Sequence, residues 1–243
     1  MRYGLIGKNL MHSQSSQLFK NHFGDKYTYQ LFELESIEKI NELLQTYTDL
    51  LGFNVTIPYK KSIIPYIQQI DTIASQIGAV NTVSVKRDIH PYTLIGFNTD
   101  ATGFEKAYSS ILNKKHSLAL ILGTGGASRA VSYILKQYHI PFLQVSRSKS
   151  SNNIISYTAL KKLSQPVSLI INTTPVGMYP NINDMPNVPE KLFIHTPTII
   201  DIIYNPAETK LLNEAKKYNC PVLNGTNMLT YQAQEAWKIW HLE

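Results

Sequence analysis

The sequence holds a single cysteine, Cys220, among 243 residues. One thiol closes no internal disulfide and has no partner at metal-ligand spacing, which excludes disulfide scaffolds and zinc ribbons and fits a reducing compartment. Cys220 itself reads as a small buried hydrophobe. Long apolar runs are missing too: no window approaches the ~18 residues of a membrane span, and the run within MRYGLIGKNLMH is too short for a secretory signal. A cytoplasmic protein is expected. Charge is sparse, at 16% against 43% hydrophobic residues, which excludes a disordered chain. Acidic residues are the scarcer sign, 17 against 23 basic, for a net charge of +6. That excess admits nucleic acid or anionic metabolites as partners. The basic residues, however, fall in short pairs (Lys60-Lys61, Lys114-Lys115, Lys161-Lys162, Lys216-Lys217), with no basic stripe interleaved with aromatics. The distribution therefore argues against nucleic acid, and neither a nucleic-acid nor a membrane partner is expected.

No internal repeat is present, and the most biased tract, 146–153, is short enough to be one polar loop. Strand-like segments at 3–6, 27–32, 50–55, 80–85 and 94–97 alternate with amphipathic stretches at 14–23, 36–47 and 59–78. Beyond Asp100 the alternation sharpens. Helices are expected at 101–112, 126–138, 157–164 and 207–218, with near-continuous apolar strands at 118–122, 142–145, 167–172, 199–203 and 222–223. Apolar strands alternating with helices predict a doubly wound parallel sheet covered on both faces. The expected class is α/β in two domains with a cleft: 1–101 with a mixed sheet, and 102–225 doubly wound. The amphipathic helix from Met228 to Trp240 is expected to pack back on the first domain, which 226–243 would complete.

An apolar strand, the turn Gly123-Thr124-Gly125-Gly126-Ala127 and a helix start follow one another directly. This is the context of a dinucleotide fingerprint: Gly123 permits the tight turn, and Gly125 and Gly126 let backbone N–H groups approach a pyrophosphate. Ser128 stands where the third glycine is usual; an ordinary tight turn is the competing reading. After the next strand, Ser146-Arg147-Ser148-Lys149 offers no acid for a ribose hydroxyl. Arg147 and Lys149 can instead meet a 2′-phosphate, which favours NADP over NAD, unless Arg147 is merely solvated.

In the first domain, polar residues gather at strand ends. Asn54, Thr56 and Lys60 follow an apolar strand, with Pro58 able to start a helix. A cation near a positive helix start is electrostatically misplaced, a useful property in a group that cycles between ammonium and amine. Alternatively Lys60 is one of two solvated lysines. Asp100 could be a plain N-cap, Ser13 could cap the first helix, and Asn81 could satisfy a turn. Taken together, these strand ends converge on one sheet edge. Ser13 and Ser15 with helix amides suit a carboxylate, and the amides of Asn54 and Asn81 suit ring hydroxyls. Gln232 lies in the apolar stripe of the last helix and needs a partner, either backbone or a substrate hydroxyl.

In their order along the chain, His12-Ser13-Gln14-Ser15, Asn54-Val55-Thr56-Ile57-Pro58-Tyr59-Lys60, Gly78-Ala79-Val80-Asn81-Thr82 and Gly96-Phe97-Asn98-Thr99-Asp100 resemble the motifs of shikimate dehydrogenases. The glycine loop, Asn172-Thr173-Thr174-Pro175-Val176-Gly177-Met178, Asp201 to Pro206, and Asn224 to Gln232 extend the resemblance to the last helix. It implies a Rossmann-like nucleotide domain and NADP(H)-dependent interconversion of 3-dehydroshikimate and shikimate, toward chorismate and the aromatic amino acids, with no metal. It further implies Lys60 and Asp100 as the catalytic pair, with Ser13, Ser15, Asn54, Thr56, Asn81, Tyr204 and Gln232 on the substrate. To the cofactor it assigns Gly123, Thr124, Gly125, Gly126, Ala127, Ser146, Arg147, Ser148, Lys149, Thr173, Gly225 and Met228. Two positions depart from the pattern: Ser16 replaces the usual proline and Ser146 the usual asparagine. A broader quinate/shikimate dehydrogenase and a non-catalytic NADP-binding protein are the alternatives, and a monomer or homodimer is expected.

Overall fold

In the computed structural model, residues 1–88, 92–148, 151 and 153–241 are described. They form two compact units: Met1–Thr102 with Gln232–Glu243, and Gly103–Tyr231.

The first unit is built on a six-stranded mixed sheet. Its strands are β1 (Arg2–Gly7), β2 (Thr28–Glu33), β3 (Leu50–Val55), β4 (Gln69–Ile70), β5 (Thr82–Lys86) and β6 (Thr93–Phe97), in the order β2-β1-β3-β5-β6-β4. β5 runs antiparallel to both β3 and β6, and the other pairs are parallel. Helices α1 (Ser15–Phe23), α2 (Ile40–Thr46) and α3 (Thr72–Ile77) accompany it. One core gathers Ile6, Leu44, Leu50, Phe53, Ile63 and Val83. On the other side, Tyr3 and Phe19 pack with Ala236, Trp237 and Trp240 of α8 (Thr226–Ile239). The Trp240 indole stacks on Tyr3 at 4.9 Å and donates to the Val83 carbonyl at 3.0 Å. The last helix thus buries its aromatic stripe on the first sheet, as its pattern suggests.

The stretch 59–78 corrects the sequence expectation. In place of one amphipathic helix, residues 57–63 form successive turns, Ile64–Tyr66 a 3-10 turn, then β4 and the six-residue α3. Pro65 lacks an amide donor and its ring obstructs the preceding turn, so an α-helix cannot run through it. The helix start expected at Pro58 is absent, and Lys60 lies on turns instead of a helix of its own.

The second unit is a six-stranded, wholly parallel sheet. Its strands are β7 (Ala119–Leu122), β8 (Phe142–Ser146), β9 (Ile154–Ser156), β10 (Leu169–Asn172), β11 (Thr198–Asp201) and β12 (Val222–Leu223), ordered β12-β11-β10-β7-β8-β9. The order reverses between β7 and β10, the switch point of a doubly wound fold, where ligands bind beyond the carboxyl ends of the strands. Helices α5 (Gly126–Gln137), α6 (Tyr157–Leu160) and α7 (Lys210–Lys216) connect the strands. α4 (Thr99–Leu112) begins in the first unit and enters the second, broken at Tyr108 (φ −123°, ψ 17°). Leu120, Ile170, Ile199 and Phe193 are fully buried in the core. Edge strand β9 is absent from the sequence expectation because its two isoleucines sit among serine and asparagine. Among the described residues, no helix is long and apolar enough to cross a membrane.

Candidate active site

In the first unit, the antiparallel register sets Asn54 of β3 beside Thr82 of β5, and Thr82 beside Phe97 of β6. Strand ends from three neighbours therefore present their polar residues together. Asn98, not Asp100, caps α4: its Oδ1 accepts from the Ala101 amide at 3.2 Å. Asp100 is left in the first helical turn, where the dipole favours a carboxylate. Lys60 lies on the turns after β3, held on one side by Tyr59, which is buried and donates to the Leu34 carbonyl at 2.6 Å, and on the other by fully buried Ile63. The Lys60 carbonyl accepts from the Val80 amide at 2.8 Å.

The Lys60 Nζ and Asp100 Oδ2 meet at 2.6 Å, with side-chain exposures of 16% and 7%. The other oxygen, Oδ1, accepts from Asn81 Nδ2 at 2.9 Å, so the carboxylate cannot swing away without breaking a second bond. Asn81 is itself clamped: Nδ2 also donates to Thr99 Oγ1 at 3.0 Å, and Oδ1 accepts from the Thr99 amide at 2.6 Å. Asn54 donates to Thr82 Oγ1 at 3.0 Å and to the Asn81 carbonyl at 3.3 Å, and accepts from the Tyr29 hydroxyl at 2.8 Å. Thr99 Oγ1 lies 3.5 Å from Gln232 Oε1. Lys60, Asp100, Asn54, Asn81 and Gln232 thus fall into one continuous polar network.

Sequence reasoning missed Tyr29, Thr82 and Thr99 in that network. The signal for the threonines was available: both follow an asparagine, in Asn81-Thr82 and Asn98-Thr99. Ser13 and Ser15 are engaged locally, the Ser15 amide donating to Ser13 Oγ at 3.3 Å. Thr56 is half-buried at the end of β3.

In the second unit, Gly123 takes φ +109°, which an L side chain rarely adopts, and a Cβ there would press on Thr173 Oγ1 at 2.9 Å. Ser128, at the place of the third glycine, is fully buried; it donates to the Gly123 carbonyl at 2.7 Å and accepts from Gln144 Nε2 at 2.6 Å. The hydroxyl fixes the loop that a glycine would only accommodate. Gly125 is the N-cap of α5, with no side-chain cap, and a Cβ built on it would meet nothing within 4 Å. The space beside Gly125 at the start of α5 is therefore open, and Thr124, Gly126 and Ala127 around it are half-buried, which fits a pyrophosphate. Ser146 is buried and accepts from the Ser148 amide at 3.3 Å, while Arg147 and Ser148 are exposed. The Arg147 charge reaches the Tyr157 hydroxyl, whose pKa burial raises and Arg147 pulls back down. Lys149 lies outside the described residues. Thr173 donates to the Leu122 carbonyl at 2.6 Å. Gly225 and Met228 are buried around the start of α8, and Tyr204 is half-buried.

Asp201 is fully buried, and burial outweighs the bonds from Thr209, Ile203 and Asn172, pushing its carboxyl up to about 6 from 3.8. The native state then binds the proton more tightly than the unfolded chain. The associated stability is complete below pH 3.8 and is lost as pH rises through about 6. Asp201→Asn should flatten that dependence. The change in unfolding free energy between about pH 4 and pH 7.5, measured in urea, should differ from wild type by about 2–3 kcal/mol. An unchanged difference would refute the shift.

A family model described as the shikimate dehydrogenase substrate binding domain matches residues 5–83. Over 260 residues the chain is 37% identical to shikimate dehydrogenase (NADP(+)) of Methanococcus vannielii, covering 98% of this chain and 90% of that one. The chain belongs to the shikimate dehydrogenase family. Among solved structures, shikimate dehydrogenase 1 of Peptoclostridium difficile superposes with a TM-score of 0.88 at 34% identity, covering 99% of this chain and 91% of that one. The Thermus thermophilus shikimate 5-dehydrogenase in complex with NADP(H) and shikimate has a TM-score of 0.84 at 26% identity, covering 100% and 94%. The resemblance read from the motifs is therefore family membership. Its two-domain α/β class, with a Rossmann-like parallel sheet, is the fold of these shikimate dehydrogenases.

Proposed function

We propose that the protein is an NADP-dependent shikimate dehydrogenase, reversibly reducing 3-dehydroshikimate to shikimate. The observation that carries this reading is the Lys60–Asp100 pair, 2.6 Å apart and locked by Asn81 in a family member. When bound, NADPH supplies a hydride to the ketone carbon. The chain must supply a proton to the oxygen that becomes an alkoxide, and Lys60 is the donor, or the acceptor in the reverse direction. Asp100 orients the ammonium and remains as its counter-charge. Asn54 has an acceptor lone pair left for a substrate hydroxyl, since its donors are spent within the fold. Ser13 and Ser15 hold the carboxylate, and Thr56, Asn81 and Gln232 complete the substrate's surroundings on the first unit; Tyr204 is assigned to the substrate by the family resemblance alone. The glycine loop, Ser146 to Lys149, Thr173, Gly225 and Met228 hold NADP(H). In this reading the compartment is the cytoplasm, where Cys220 stays reduced.

Mixing the protein with NADP+ and shikimate should raise the absorbance band of reduced nicotinamide; no rise would remove the reading. Arg147 is assigned to the 2′-phosphate. Arg147→Ala should raise KM for NADP+ by about 10-fold or more, the scale of a charge-assisted contact, and leave KM for NAD+ nearly unchanged. An equal loss with both cofactors would contradict the assignment.

A further inference from the structure

The segments of the second unit that carry Thr173, Tyr204 and Gly225 meet around one buried group. Asp201 Oδ1 accepts from Asn172 Nδ2 at 3.0 Å and from the Ile203 amide at 3.1 Å, and Oδ2 accepts from Thr209 Oγ1 at 2.7 Å. Asn172 Oδ1 in turn accepts from the Thr174 amide at 3.0 Å and its hydroxyl at 2.7 Å, and Thr174 Oγ1 accepts from the Val176 amide at 3.3 Å. In the other direction, the Ile203 carbonyl accepts from the Gly225 amide at 3.0 Å. A continuous relay therefore runs from Val176 through Thr174, Asn172, Asp201 and Ile203 to Gly225.

We propose that Asp201 is a positioning residue for NADP(H): it sets the Asn172 amide and the Ile203 backbone, and through them the loop after β10 and the turn before α8. The inference rests on the assignment of Thr173 and Gly225 to the cofactor. An amide's two ends have nearly the same shape, so packing alone does not choose between them. An ionised carboxylate only accepts, which turns Nδ2 toward Asp201 and leaves Oδ1 to hold Thr174. Asp201 has no exposed surface, so it acts through these neighbours and not by touching the cofactor.

The test is calorimetric titration of NADP+ into the whole wild-type chain, Asp201→Ala, Asp201→Asn and Thr174→Val, with KM, kcat and Tm measured beside it. Asp201→Ala and Thr174→Val should bind NADP+ about 10-fold more weakly, and in Thr174→Val, which lies away from Tyr204, KM for shikimate should hold within about twofold. Asp201→Asn keeps an acceptor for Asn172 and Ile203 and should restore binding. Thr174→Val cuts the relay without touching the carboxylate, so it decides the matter even if Asp201→Ala does not fold. Wild-type NADP+ affinity in Thr174→Val and in every folded Asp201 variant, with Tm alone lowered, would overturn the inference. A wild-type protein that binds NADP+, and whose variants bind it weakly, yet shows no turnover of shikimate would overturn the proposed function and leave this inference standing.

Discussion

Lys60→Ala should lower kcat by about 10²–10⁴-fold, the range of a positioned general acid, while KM for shikimate changes little. The split follows from the geometry. Among the described residues, the Lys60 ammonium has one hydrogen-bond partner, Asp100, and leaves N–H groups for a substrate oxygen. In the proposed reading, substrate binding is spread over many other groups, so a proton is what the alanine variant would lack. The substitution also leaves Asp100 buried without its counter-charge, which costs stability. Urea unfolding must therefore accompany the kinetics, and the Lys60→Ala, Asp100→Asn double variant should recover stability without recovering turnover. Wild-type kcat in a folded Lys60→Ala protein would remove Lys60 from the mechanism.

Gly225→Ala should destabilise the protein by about 3–5 kcal/mol, the upper range for single substitutions. A Cβ at this position would collide with the Ile202 carbonyl, and its three nearest atoms all belong to Ile202 backbone. Backbone cannot rotate aside as a side-chain tip can. Relief would require parting the turn after β11 from the start of α8 and breaking the bond from the Gly225 amide to the Ile203 carbonyl. Gly125→Ala is the control: its φ of −82° suits any residue and a Cβ meets nothing within 4 Å, so a change under about 1 kcal/mol is expected. Urea midpoints of the two variants check the contrast, and equal losses would refute the packing argument.

The second unit was readable in detail because its strands are buried on both faces and appear as apolar runs bounded by turns. The expected strand at 142–145 is observed at Phe142–Ser146, and the expected helix at 126–138 at Gly126–Gln137. Expectation fared worse in two stretches. The helix expected at 157–164 ends at Leu160, and 59–78 contains Pro65 inside an otherwise helical spacing. The candidate site was readable as residue types in order along the chain. Which of two roles each plays was not: Asp100 had the spacing of an N-cap, yet Asn98 takes that bond and frees Asp100 for Lys60.

Composition, the alternation of apolar segments and the succession of short polar motifs were enough to settle an α/β chain in two parts and membership of a dehydrogenase family. These are properties of neighbours along the chain, where local sterics and burial act directly. The pairing of Lys60 with Asp100, 40 residues apart, the orientation of each asparagine amide and the burial of Asp201 were decided only by tertiary structure. Hydrogen-bond direction and desolvation depend on which atoms meet across strands, and no spacing along a sequence carries that information.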